Sequence, residues 1–226
     1  MVVTAPPARG ARIAIVEAAT LLAERAEPLA RLRELSNGSG SQFEAAYAPL
    51  LAAFADYVQR LPAEGAPTLL DARLDRAAAV LARRRGLILP PGADPERAAR
   101  EADAWTYALF GLALLRGLSG ALAPWAVALW AADGRALGRW RPHLEPRGFS
   151  RVKGAAAYTA GPNDAPPGAD WTPLVAGALL PAPGLNWLWR EPGVMAVWQH
   201  ALLAAEPPSE IGGLFDCIST PTEGHH

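Results

Sequence analysis

Cysteine and lysine are nearly absent from this chain of 226 residues. Its one cysteine, Cys217, allows no internal disulfide, so the sequence predicts a protein of a reducing compartment, the cytoplasm. Lys153 is the only lysine, and the other basic side chains are arginine. The net charge of −1 excludes the overall basic excess typical of nucleic-acid-binding proteins, so only local arginine clusters remain for that role.

Charged residues are also missing from most of the stretch 104–132, where Arg116 is the only one. The stretch is long enough to cross a bilayer. However, Arg116 lies near its middle and is followed by Gly117 and Pro124. A buried helix followed by a turn and a strand explains this pattern better than a membrane span, so we expect no membrane contact.

The composition favours a helical core. Hydrophobic residues make up 51% of the chain and charged residues 19%, and alanine and leucine dominate. We expect a flexible N-terminus over 1–11, a single domain over 12–220, and a tail over 221–226 whose terminal histidines resemble the remnant of a purification tag. Apolar periodicity and breakers predict helices over 12–35 with a restart at Pro28, 41–60, 68–85, 94–115, 172–180, 185–189, 193–204 and 210–219.

Capping patterns support three of these helices. Ser41 and Glu44 have the spacing of a capping box, and Thr68 is followed by an acid three residues later. Asp94 precedes Pro95, so that a capping acid comes before a proline in the first turn. These patterns place the helix starts at residues 41, 68 and 94.

The residue pattern changes from helical to strand- and loop-forming after residue 124. Two apolar runs, 125–131 and 135–140, flank Asp133-Gly134, which is typical of a two-residue hairpin turn. The stretch 141–170 is rich in proline, glycine and arginine and predicts loops with one short strand over 155–158. We therefore expect a mainly α fold, a helical bundle with a small β-hairpin insertion around residues 125–158.

Several motifs then resemble a known family. Residues 105–110 (WTYALF) and 113–120 (ALLRGLSG) resemble a signature of the TraI-type, or MobH-type, relaxases of integrating conjugative elements. Their N-terminal domain, also called a putative helicase, carries Ala-Leu-Leu-His-Asp-Leu-Gly-Lys at that place. Further matching segments, in the same order, are 61–63 (LPA), 69–71 (LLD), 89–92 (LPPG), 138–142 (GRWRP), 180–181 (LP), 185–188 (LNWL), Asp216 and Ser219.

The resemblance implies an HD-type helical domain that nicks DNA at a metal-bound site. Such chemistry needs several imidazoles and carboxylates around one or two metal ions. In this sequence the His-Asp pair of the family becomes Arg116 and Gly117, and the histidine after Leu-Leu-Asp becomes Ala72. Only Asp216 remains as a ligand, so we expect a degenerate site with no catalytic residue, no metal and no cofactor.

An alternative hypothesis places a metal site elsewhere. Outside the terminal pair the chain has only two histidines, His143 in a proline-rich loop and His200 on a predicted helix. Together with Asp216 they make up the smallest set that could rebuild a metal-dependent phosphohydrolase. The competing interpretation is a loop histidine and a helix-face histidine, each in contact with solvent.

Arginine supplies the other candidate residues. Arg116 either replaces the cationic charge of the metal, holds Asp216 or binds phosphate, or else it is an exposed arginine at a helix end. The second of two basic sets is interleaved with Trp140 and Phe149, which is typical of a nucleic-acid surface, although a solvated, arginine-rich surface is the simpler interpretation. The two sets are Arg83, Arg84 and Arg85, and Arg135, Arg139, Arg141, Arg147, Arg151 and Lys153.

These observations lead to three hypotheses about function. The first is a catalytically inactive relaxase-like protein of a conjugative or mobile element, whose partner is DNA or a protein of the conjugation machinery. The second is an enzyme, the metal-dependent phosphohydrolase or nuclease with a relocated site. The third is a protein-interaction module without a nucleic-acid role.

Overall fold

The computed structural model describes residues 10–145, 147–164, 168–206 and 208–219. Within them the chain is mostly helical with one small antiparallel sheet, which confirms the predicted mainly α class. Of the predicted terminal segments, 1–9 and 221–226 lie outside the described residues. The elements are β1 (Ile13–Ala14), α1 (Ala18–Ala23), α2 (Ala26–Leu35), α3 (Gly40–Gln42), a π-helical turn (Phe43–Tyr47), α4 (Ala48–Val58), α5 (Leu69–Arg84), α6 (Pro95–Leu115), α7 (Leu118–Leu122), β2 (Trp125–Trp130), β3 (Ala136–Arg139), a 3-10 turn (Phe149–Arg151), β4 (Ala157–Pro162), α8 (Thr172–Leu179), α9 (Ala182–Arg190), α10 (Pro192–Leu203), a 3-10 turn (Ser209–Ile211) and α11 (Gly212–Ser219).

Helix α6 is the centre of the helical layer. Asp94 caps it by accepting a hydrogen bond from the backbone N–H of Arg97 at 2.8 Å, as predicted. Its second half is almost entirely buried, and the helix packs against α5, α9, α10 and α11. Among the described residues, Pro95–Leu122 is the one segment long and apolar enough to span a membrane. Because 78% of its most apolar stretch is buried inside the protein, it is a core helix.

The first predicted helix is partly wrong. Residues 13–14 form strand β1, and the chain stays extended until α1 begins at residue 18. The second helix starts at Ala26, which puts Pro28 in its first turn, where a missing N–H loses no helical hydrogen bond. β1 pairs with β4, far along the chain, and this long-range pairing overrides the local helical composition.

The capping box lies two residues earlier than predicted. Ser39 Oγ accepts from the Gln42 backbone N–H at 3.2 Å, and Gln42 Oε1 accepts from the Ser39 N–H at 2.8 Å. Ser41 with Glu44 repeats the same spacing, but Glu44 forms an ion pair with Arg33 instead. A π-helical turn over Phe43–Tyr47 joins this early start to α4.

The predicted hairpin is part of a larger sheet. β2 and β3 pair as expected, but the four strands are ordered β1-β4-β2-β3, all antiparallel. The predicted strand over 155–158 is instead β4, which runs to Pro162 and pairs along the whole of β2. The insertion is therefore joined to the start of the domain through β1.

The turn of the hairpin is longer than the predicted two residues. The backbone N–H of Ala131 donates to the carbonyl of Arg135 at 2.9 Å, which leaves a three-residue loop. Gly134 has φ +85, the left-handed conformation that three-residue hairpin loops place at this position. A register shift in β2 next to the loop accompanies it.

Candidate functional site

A cleft lies between α5, α7 and the carboxyl end of α10. It consists of two adjoining cavities of about 370 and 390 Å³ that share Arg73, Arg76 and Ala121. Arg116 and Asp170 also line the first cavity, so three guanidinium groups face one carboxylate there. We call this first cavity the arginine cleft. The second cavity is mixed in charge, because acidic side chains line it as well.

Three of the four predicted degenerate positions line this cleft. Arg116 and Gly117 line the arginine cleft, and Ala72 lines the adjoining cavity. Asp216 lies on α11, which packs against α5, but its side chain is exposed and outside the lining. Ile218, on the same helix, does line the arginine cleft. The structure thus brings Ala72, Arg116 and Gly117 together along one cleft.

Arg73 is a buried cation that holds the end of α6. Only 3% of the residue is exposed. Its Nη1 donates to the carbonyl of Arg116 at 2.7 Å and to that of Ala113 at 3.5 Å. Carbonyls at a helix carboxyl end have no helical donor and carry partial negative charge, so they stabilise the guanidinium. Burial lowers the pKa of Arg73, and the positive charge of Arg76 lowers it further.

Arg116 joins two helix ends. As the residue that follows α6, it directs its guanidinium to the carboxyl end of α10. There it donates to the carbonyl of Ala201 and, at 2.7 Å, to that of Ala204. The predicted exposed arginine is therefore wrong, because the side chain is half-buried and lines the cleft.

The three guanidinium groups repel one another. Burial and the charge of Arg116 lower the pKa of Arg76 to about 10. Burial also lowers the pKa of Arg116, although the nearby Asp170 partly offsets this. Guanidinium groups stay protonated in proteins at neutral pH, so all three side chains carry a positive charge. A bound anion would relieve this repulsion, and guanidinium forks match the oxygens of phosphate.

Asp170 is the counter-ion of the arginine cleft. Its Oδ1 accepts from Ser119 Oγ at 2.5 Å and from the Thr172 backbone N–H at 2.8 Å. Burial raises the pKa of Asp170, but the hydrogen bonds from Ser119 and Thr172 and the charge of Arg116 outweigh it, so the pKa is lowered. The carboxylate is thereby fixed in its ionised form beside Arg116.

The lining does not fit a metal ion. Guanidinium, glycine and alanine stand at the positions of the expected ligands and offer no ligating atoms. Across the described part of the chain, no group of three His, Cys, Asp or Glu side chains could hold a metal. His143, His200 and Asp216 are accordingly not assembled into the relocated site. His200 is exposed on α10, whereas His143 lines a different cavity.

The first basic set lies at the carboxyl end of α5 and is largely structural. Arg84 donates to the carbonyls of Leu87 at 2.5 Å and Ala102 at 3.5 Å. Arg85 forms an ion pair with Glu34 at 3.9 Å. These contacts tie the end of α5 to the residues that follow it, to α6 and to α2. Only Arg83 of this set projects from the surface without a described partner.

The second basic set is divided between two surfaces. Arg139 and Arg141 line one cavity, while Arg147, Arg151 and Lys153 line another. Arg135 lies at the hairpin tip in an ion pair with Asp133 at 3.9 Å. The two aromatic residues predicted to stack on nucleic acid are wrong for that role. Trp140 and Phe149 are 3% and 0% exposed and pack edge to face, with ring centroids 4.4 Å apart.

Sequence reasoning missed Arg73, Arg76 and Asp170. A pattern pointing to the first was present, because Arg73 interrupts the apolar stripe of Leu70, Leu74 and Ala77 on α5. A charged residue on a core-facing stripe predicts a buried guanidinium with backbone partners. Nothing local identifies Asp170, which reaches the site through the loop before α8.

A comparison with models of protein families gives a match. The model of the family described as "Putative helicase" (TraI_2) matches residues 12–206, which is most of the chain. No curated protein matches the chain.

Proposed function

Because the chain belongs to this family of putative helicases, we propose that it is a relaxase-like protein that has lost hydrolysis and binds the DNA backbone. In this proposal the helical layer is an HD-like bundle, and the arginine cleft stands where the metal site of an active relative would be. The single observation that carries it is the lining of one cleft by Ala72, Arg116 and Gly117 together with two further arginines.

The chemistry of the cleft supports binding without hydrolysis. A metal in a hydrolase activates water and neutralises phosphate charge. Arginine supplies the second of these properties but not the first, because a guanidinium holds no water for deprotonation. Gly117 has φ +65, a conformation that aspartate and glycine both tolerate, so the family's aspartate can be replaced without backbone strain.

The wider role follows from the resemblance. We place the protein in the cytoplasm as an accessory component of a conjugative or mobile element, where it holds DNA for the transfer machinery. The net charge of −1 gives no general attraction to DNA. Binding must therefore come from a local set of phosphate contacts, as the arginine cleft offers.

The test measures the affinity for single- and double-stranded DNA across a range of salt concentrations. Arg76→Gln should weaken binding and reduce the salt slope by about one, as expected for the loss of one phosphate contact. The matched control is Arg83→Gln, the same substitution two turns along α5 and outside the cleft. It should leave both the affinity and the slope unchanged, and thermal unfolding should show that both variants are folded.

Three results would refute the proposal. One is a loss of affinity in Arg83→Gln equal to that in Arg76→Gln, which would place DNA on the general surface. Another is metal-dependent nicking of DNA that Asp216→Ala abolishes, which would restore the enzyme hypothesis. The third is the absence of any salt-dependent DNA binding, which would favour the protein-interaction module.

A further inference from the structure

Another cavity, separate from the two that form the cleft, is also lined by Trp125. It has a volume of about 320 Å³, near the lower end of the range of small-ligand pockets. It is formed by the end of α7, the carboxyl end of β3, the loop that follows β3, and Trp171 just before α8. We call it the hairpin pocket.

Two buried polar atoms of this pocket have no hydrogen-bond partner among the described residues. They are Nε1 of Trp140 and Nδ1 of His143, and both residues line the cavity. Trp140 is 3% exposed. A buried polar group without a partner destabilises the folded state, so native structures rarely contain one. Two such atoms on residues that line the same cavity point to a ligand with an acceptor for the indole N–H and a polar group near the imidazole.

The walls of the pocket suit a planar ring. Trp125, which is half-buried, and Trp171, which is buried, both line it, and the centroid of the His143 ring lies 6.4 Å from that of Trp171. Stacking on aromatic side chains is the usual way in which proteins hold an unpaired base, because every base has a flat π face. The loop that carries His143 is held in place by Tyr57, whose Oη donates to the carbonyl of Pro142 at 3.0 Å.

The rim of the pocket is cationic. Arg139 donates from Nη2 to Asn163 Oδ1 at 2.6 Å, and Asn163 Nδ2 donates to the carbonyl of Ala123 at 2.8 Å. These bonds hold one guanidinium at the edge, and Arg141 lines the pocket beside it. A phosphate next to a bound ring would meet both charges.

From these observations we infer that the hairpin pocket binds one nucleotide, with its base among Trp125, Trp171 and His143 and its phosphate at Arg139 and Arg141. Trp125 also lines the cavity that adjoins the arginine cleft. A single strand held by the cleft can therefore pass Trp125 and place one unstacked base in the pocket. That extension to a DNA strand rests on the proposed function, whereas binding of a mononucleotide does not.

The test uses calorimetry with the four deoxynucleoside monophosphates, deoxyribose 5-phosphate and a short single-stranded oligodeoxynucleotide. At least one monophosphate should bind, and deoxyribose 5-phosphate should bind at least tenfold more weakly because it lacks the ring. Trp140→Phe removes the indole N–H but keeps an aromatic ring, and should weaken binding about fivefold, the effect of one net hydrogen bond. His143→Phe should weaken binding to a similar degree.

The chain offers a matched control. Trp198 is also buried at 5% exposure with an Nε1 that has no described partner, but it packs near Gly111, away from the pocket. Trp198→Phe should leave nucleotide affinity unchanged. If Trp140→Phe does not fold, the indole N–H resonance of Trp140 in the unsubstituted protein decides. It should shift on addition of the monophosphate and stay fixed on addition of deoxyribose 5-phosphate.

The outcomes separate this inference from the proposed function. Equal binding of the monophosphate and the base-free sugar phosphate overturns the pocket, as does full affinity in a folded Trp140→Phe variant. Oligonucleotide binding that depends on Arg76 but not on Trp140 or His143 overturns the extension to a DNA strand and leaves the proposed function standing. Monophosphate binding that depends on Trp140, without oligonucleotide binding, supports the pocket for a free nucleotide and refutes the proposed function.

Discussion

Gly184 is a buried residue of α9 that packs directly against Tyr107 of α6, and it offers a sharp test of the packing. A Cβ at this position would lie 1.9 Å from Tyr107 Oη and 2.3 Å from Cζ of the same ring. Tyr107 is fully buried, and its ring packs against Tyr47 and Trp187 with centroids 5.1 and 5.8 Å away. The ring therefore cannot swing aside, and Gly184→Ala must displace either α9 or α6.

The magnitude follows from two opposing terms. Overpacking of a fixed core costs about 1–3 kcal/mol. Replacing a helical glycine by alanine stabilises by roughly 0.5–1 kcal/mol. We expect a net loss of about 1–2 kcal/mol in the free energy of unfolding. In a chain of this size that lowers the melting temperature by about 2–8 °C.

Thermal and urea unfolding followed by circular dichroism provide the assay. The control is Gly177→Ala in α8, where a Cβ would meet nothing within 4 Å, and it should stabilise by about 0.5–1 kcal/mol. Tyr107→Phe removes the nearest clashing atom, so the double variant should recover at least ~0.5 kcal/mol relative to additivity. If Gly184→Ala is as stable as the control, the close packing of α9 on Tyr107 is wrong.

Two further predictions concern pH. All four tyrosines, at positions 47, 57, 107 and 158, are buried, and burial raises the pKa of each above that of free tyrosine. The free energy of unfolding should therefore be independent of tyrosine ionisation below about pH 10 and should fall as the pH rises further, because the unfolded chain loses these protons first. Tyrosinate absorbance should rise together with the loss of helical circular dichroism, and a rise in still-folded protein would contradict this. Burial also raises the pKa of Asp56, so this carboxyl favours the fold only in its protonated form and destabilises it as pH rises through the folded pKa. Asp56→Asn, which keeps an acceptor for the Ser150 hydroxyl, should raise the melting temperature at pH 7 and lose that gain near pH 4; a gain independent of pH would count against the ionisation argument.

The features that could be predicted from the sequence are those decided within a few residues. Thr68 and Asp94 cap helices because the N–H groups they bind lie three residues away. Where two local patterns competed, as for Ser39 and Ser41, the sequence could not choose, because the start of the helix depends on how Phe43 and Tyr47 enter the core. The two-residue strand β1 has no periodicity at all and exists only through its distant partner.

The candidate site, too, could be predicted from the sequence only in part. The motif resemblance indicated Ala72, Arg116 and Gly117, and the structure places them along one cleft. The hydrogen bonds of Arg116 to α10 depend on a contact 85 residues along the chain, which no local pattern records. Asp170 likewise reaches Arg116 only through the fold.

The pairing of β1 with β4 has a consequence for biosynthesis. Ile13 leaves the ribosome 145 residues ahead of its partner Tyr158. At 5–20 residues per second this delay lasts about 7–30 s. During that interval the helices up to α7 and the β2–β3 hairpin can already form local contacts, whereas β1 has no strand to pair with until β4 follows. A nascent chain released before β4 would thus hold much of its helical core and expose an unpaired strand edge.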